Sequence, residues 1–165
     1  MTKKRIFVVC PVRPPKVGLL KRMINKYMNW LSGAVDSWTE KQNAIKKYVA
    51  KLETDGYDVF WPRRDNRYQN TDRIGLLICE YNRERMLEAD EVHIWCDKNS
   101  TGSVFDIGMF YMFVRTHSFK KFVIINREDI APTPHKSFEN VILALAKEFD
   151  NPVANGLRER WERCK

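Results

Sequence analysis

Residues 89–114 read ADEVHIWCDKNSTGSVFDIGMFYMFV, a strand, a polar turn and a helix in immediate succession. Val92, Ile94 and Cys96 alternate with His93 and Trp95, a β-branched and aromatic run too short for a helix. The turn over 97–102 is polar or glycine throughout. From about 103 to 114 the chain is almost continuously apolar, which predicts a helix set in the core or against another subunit. One carboxylate, Asp106, interrupts it. An acid in the first turn of a helix is stabilised as an anion by the free N–H groups and the dipole, and the same groups hold a phosphate. Asp106 is therefore either a helix-start residue or part of a ligand site. Open α/β sheets bind ligands just outside the carboxyl ends of their strands, where this turn is expected.

Working outward, RIFVVC over 5–10 is an apolar run that stops at Pro11-Val12-Arg13-Pro14-Pro15, a first central strand ending in a rigid loop. Arg13 lies just past the strand end, within reach of a bound phosphate or simply in solvent. Leu19, Leu20, Met23, Tyr27, Met28, Trp30 and Leu31 form a broad helical stripe over 18–31. A break at Ser32-Gly33 precedes a second helix over 36–53. Two helices between two strands exceed what a crossover needs, so the extra one caps a pocket or forms an interface. Asp55-Gly56 turns into a strand over 57–61, halted by Pro62. The charged stretch RRDNRYQNTD over 63–72 lacks an apolar period and reads as an exposed loop, a lid or a base-recognition segment.

The helix over 74–89 changes apolar phase between Tyr81 and Met86, which predicts a kink or restart near 79–82. A fourth strand is expected over 121–126 and a helix over 136–149, followed by a basic tail from about 151 that is also expected to be helical. Strands alternating with helices predict a single α/β domain over 1–165. Its architecture is a three-layer Rossmann-like (flavodoxin-like) parallel sheet with helices on both faces and right-handed crossovers.

At 165 residues the chain is long enough for a full core. A net charge of +8 suits an anionic partner, but the Lys and Arg are scattered, with no basic tract interleaved with stacking aromatics. A small anion is favoured over nucleic acid. Cys10, Cys79, Cys96 and Cys164 form no CxxC pair and no signal peptide precedes the first strand, so a cytoplasmic location is expected. His93, His117 and His135 lack metal-site spacing. The longest apolar run is too short to span a bilayer, so no membrane association is expected.

Three places carry a resemblance to a known family: the first strand with its loop, NRERMLEAD over 82–90 and STGSVFDIG over 100–108. The sequence resembles the nucleoside 2-deoxyribosyltransferase family, including the 2'-deoxynucleoside 5'-monophosphate N-glycosidases. The resemblance implies that Asp106, followed by Ile107 and Gly108, is the nucleophile that attacks C1' of the sugar, where the family usually carries Glu. A carboxylate below the ring forms a covalent glycosyl intermediate through an oxocarbenium-like transition state. Ser100 falls where the monophosphate hydrolases carry a phosphate-binding Ser and the nucleoside enzymes an Asp. With Gly102, Ser103 and the basic balance, it favours a 5'-phosphorylated ligand; otherwise it caps the helix.

Asn82 falls where the family places an acid that helps protonate the leaving base, and an amide donates a hydrogen bond but no proton. Glu80, Asp65 and Asp97 are the alternative acids. The family's aromatic near the end of the first strand falls near Phe7, without a hydroxyl. The expected substrate contacts are Cys10, Pro11, Arg13, Asp65, Ser100, Gly102 and Ser103, with Asp106 and Asn82 at the chemistry. The resemblance further implies a nucleotide or nucleoside substrate, no metal or organic cofactor, and a homodimer or larger homo-oligomer, the helix over 105–113 being a candidate interface. The alternative is a catalytically altered nucleotide-binding module on the same fold. A third option, cleavage of a different ribosyl compound such as a dinucleotide, rests only on the roomy 63–72 loop.

Overall fold

The computed structural model describes residues 3–14, 18–32, 35–116 and 121–150. Gly33, His117, Cys164 and the basic tail lie outside the described residues. In chain order the elements are β1 (Arg5–Val9), α1 (Leu19–Ser32), α2 (Ser37–Thr54), β2 (Asp58–Phe60), α3 (Pro62–Asp65) and α4 (Leu76–Glu88). After them come β3 (Glu91–Ile94), α5 (Thr101–Thr116), β4 (Lys121–Ile124), a 3-10 turn (Arg127–Asp129) and α6 (Phe138–Asp150). The strands pair in parallel in the order β2-β1-β3-β4.

That order positions the site. The chain leaves β1 for β2 on one side, then crosses back over β1 to β3 and continues outward to β4. Right-handed crossovers in opposite directions put their helices on opposite faces. The packing agrees: Ile6 and Val8 of β1 meet Ile45, Val49 and Leu52 of α2. Phe7 and Val9, pointing the other way, meet Met86 of α4, Ile107 and Phe110 of α5, and Ile142 and Leu145 of α6. The protein is thus a three-layer Rossmann-like α/β fold, and β1 is apolar from Ile6 to Val9 because those residues are covered on both faces.

Phe110 is fully buried and stacks on Phe122 of β4 with ring centroids 5.1 Å apart. Phe110→Ala is expected to cost about 3–5 kcal/mol, read as a lower urea midpoint at unchanged slope. On the α2 face, β3 carries polar groups: His93 accepts or donates at Nδ1 to Tyr48 Oη (2.7 Å) and at Nε2 to Glu91 (3.0 Å). Burial holds the His93 imidazole below its usual pKa, against the pull of the Glu91 carboxylate. Both ring nitrogens of His93 are thus engaged by Tyr48 of α2 and Glu91 of β3.

Several expectations are corrected. The helix starting near 74 runs without interruption as α4, with no restart near 79–82. Its apolar phase slips because Asn82 stands beside Met86 on the buried face, while Leu76, Leu77 and Leu87 are exposed. The 63–72 segment is not wholly an exposed loop, since it includes most of α3, and Asn66 is buried. α5 begins at Thr101, so Gly102 and Ser103 lie in its first turn and Asp106 in its second. Its apolar run is divided: Ile107 and Phe110 are buried, whereas Phe105, Tyr111 and Met112 are exposed. The extra helix, α1, turns Leu20, Met23, Ile24, Met28 and Leu31 to solvent. Among the described residues no helix is long and apolar enough to cross a membrane.

Candidate active site

The strand order reverses direction between β1 and β3, and the loops leaving these two strands meet there. Pro11 and Arg13 after β1, and Asp97, Asn99 and Ser100 after β3, line a cleft of about 140 Å³ with Ser37, Trp38 and Lys41 of α2. The β1 loop is tied down because Gln42 of α2 donates to the Pro11 carbonyl (2.9 Å) and accepts from the Arg63 guanidinium. Arg63 also stands over the Trp38 ring, 5.9 Å from its centroid.

The β3 turn is built by its own side chains. Asp97 accepts from the Asn99 N–H (3.0 Å), pairs with Lys41, and offers its carbonyl to the Ser100 N–H (3.0 Å). Ser100 Oγ accepts from the Ser103 N–H at 3.3 Å, the N-cap geometry that starts α5 at Thr101. The two hydroxyls lie 2.9 Å apart, and Ser103 is buried behind Ser100. Ser100 thus borders the cleft while Ser103 supports it. Gly102 is exposed, and a Cβ there would touch nothing within 4 Å.

One turn further along α5, Asp106 is 8 % exposed and is not among the cleft-lining residues. Asn82 Nδ2 donates to both its oxygens, at 3.4 and 3.3 Å. Burial raises the Asp106 carboxyl to about 7, the Asn82 hydrogen bond pulling the other way. A carboxylate with that affinity exchanges its proton near neutral pH, which is the range needed by a general base or an ionisable nucleophile. Cys10, buried at the end of β1, accepts from the Trp61 indole N–H (3.1 Å). Its thiol is pushed up to about 12, by burial first, with the Asp106 charge adding to it. It is a neutral thiol in the field of Asp106, not a nucleophile.

The sequence-derived residues therefore separate into groups. Arg13, Pro11 and Ser100 share the cleft, and Asp106 and Asn82 touch. Asp65 stands elsewhere: its carboxylate accepts from the Trp61 N–H (2.7 Å), pairs with Arg64, and lines a groove with Arg5, Tyr81, Arg85 and Asp90. Of the other candidate acids, Asp97 is held by Lys41, and Glu80 is exposed on α4. Sequence reasoning missed Gln42, Lys41 and Trp38, whose places depend on how α2 packs beside the two loops. It also missed Asn66, which donates to Asn82 Oδ1 at 2.8 Å. No family model, curated protein or solved structure matches the chain.

Proposed function

We propose that the protein acts on the N-glycosidic bond of a (deoxy)nucleoside 5'-monophosphate, by hydrolysis or by transfer of the sugar to a second base. In this reading Asp106 attacks C1', the base departs, and water or another base then displaces the carboxylate. The observation that carries it is the Asp106 carboxyl: buried, poised near neutral pH and held by an amide, on the same helix whose N-terminal turn borders the cleft through Ser100. Ser100 and Arg13 offer a hydroxyl and a guanidinium to an anion there, and the start of α5 adds its dipole. The chemistry asks for no metal or organic cofactor, since the carboxylate supplies the nucleophile.

The same reading includes a homo-oligomer in the cytoplasm. The oligomer is supported by the exposed apolar side chains of α1 and by Phe105, Tyr111 and Met112 of α5, more than a monomer usually leaves in water. A second reading, a nucleotide-binding module without turnover, is favoured by two observations. Asp106 lies outside the cleft lining, and the hydrogen-bond chain leading to it consists of amides rather than acids. Incubation with deoxy- and ribonucleoside 5'-monophosphates, with and without an added free base, separates the two. Free base, or an exchanged nucleotide when a second base is added, supports the enzyme, whereas saturable nucleotide binding with neither product selects the module.

A further inference from the structure

We infer that Asn66 is a positioning residue for Asp106: it fixes which end of the Asn82 side chain faces the carboxylate. A primary amide has two ends of nearly equal size, a carbonyl oxygen that accepts and an NH2 that donates. Turned one way, Asn82 stabilises the ionised Asp106; turned the other, its carbonyl opposes it. The choice therefore decides whether the anion forms easily.

The orientation is set from the backbone inward. Asn66 Oδ1 accepts from the Tyr68 backbone N–H at 2.9 Å, a group that only donates. Asn66 Nδ2 donates to the Ile78 carbonyl at 3.0 Å, a group that only accepts. Those two contacts leave one way round for the Asn66 amide. Its remaining N–H points at Asn82 Oδ1, 2.8 Å away, so Asn82 must offer its carbonyl to Asn66 and its NH2 to Asp106. Asn66 and Asn82 are both 4 % exposed, so water does not compete freely for either amide. Asn66 lies 16 residues before Asn82 and touches no oxygen of Asp106 in this chain of bonds; it acts through Asn82 alone.

The geometry stands by itself, while its meaning for turnover rests on the function proposed above. The test is therefore made on the carboxyl group directly. Aspartate carboxyl carbons are labelled with 13C, the Asp106 signal is assigned from its loss in Asp106→Asn, and its titration is followed in wild type, Asn66→Ala, Asn66→Asp, Asn82→Ala and the double alanine variant. Asn66→Asp offers an acceptor where a donor stood, which turns the Asn82 NH2 away from Asp106. The expected result is a titration midpoint of Asp106 raised by about one pH unit, tenfold in proton affinity, and a smaller rise in Asn66→Ala. In the Asn82→Ala background, Asn66→Ala is expected to add nothing.

A midpoint unmoved in both Asn66 variants overturns the inference, as does an equal effect of Asn66→Ala with and without Asn82. If Asn66→Asp does not fold, the alanine cycle decides alone. If the midpoints move as expected and no nucleotide releases base, the positioning role holds and the glycosidic reading fails. If base release occurs and the midpoints do not move, the reverse is true.

Discussion

Asp106→Asn is expected to make the protein more stable at pH 8 while abolishing base release. The folded-state carboxyl sits near 7 against an ordinary value of 3.8, raised by burial. A raised folded pKa contributes stability that is fully present below about 4 and lost as pH climbs through 7. Above 7 the fold therefore carries a buried anion at a cost on the order of 4 kcal/mol. Asn is the neutral isostere and still accepts from Asn82, so it removes that cost. The melting temperature of the variant is expected to exceed wild type by roughly 10 °C at pH 8, and the gap is expected to close by pH 4. Base release is expected to fall by about a thousandfold or more. In wild type it is expected to decline below pH 7 as the nucleophile is protonated. Thermal melts at the two pH values check the sign. A variant less stable than wild type at pH 8 would show that Asp106 is held by favourable contacts rather than strained by burial.

Ser100→Asp is expected to reverse the preference for a 5'-phosphate without unsettling the fold. Asp caps a helix as well as Ser does, so the bond from the Ser103 N–H survives and stability is expected to change by less than about 0.5 kcal/mol. The new carboxylate would face a bound phosphate, and a like-charge contact of this kind costs several kcal/mol, on the order of a hundredfold to a thousandfold in kcat/KM. Unphosphorylated nucleosides are expected to keep their rates. Ser100→Ala serves as the counterpart, since it removes the cap at a cost of about 1 kcal/mol but adds no charge. Parallel kinetics on a nucleoside and its monophosphate decide the matter. Equal losses on both substrates would reduce Ser100 to its capping role.

The parts of the fold that were legible in the sequence are those fixed by local pattern. The unbroken apolar run of β1 reads correctly because a central parallel strand is covered on both faces, and α2 reads correctly because Ile45, Val49 and Leu52 keep helical spacing. α4 runs on through 79–82, and the slip in its apolar phase has a cause that bears on the site. The position on the buried face where the periodicity wants an apolar residue is held by Asn82, while Leu76, Leu77 and Leu87 spend theirs on solvent. A polar residue on a core face looks like a phase error until its partners are known. Those partners are Asp106, 24 residues later, and Asn66, 16 residues earlier, separations that no local pattern encodes. The apolar run alone starts α5 near 103, whereas the capping role open to Ser100 is the one the structure shows, so the helix begins at Thr101 and Asp106 lies in its second turn. Nor does an apolar stripe say which way it faces. Leu20, Met23, Tyr27, Met28 and Leu31 of the α1 stripe point outward, and the stripe of α5 is split between core and surface.

The most direct measurement is peptide mapping by mass spectrometry after wild-type protein and a deoxynucleoside 5'-monophosphate are mixed and quenched with acid within one turnover. The expected result is a sugar-phosphate ester on the peptide carrying Asp106, absent from Asp106→Ala, which releases no base. Base release that persists in Asp106→Ala, with no adduct on that peptide in wild type, would contradict the assignment of Asp106 as the nucleophile.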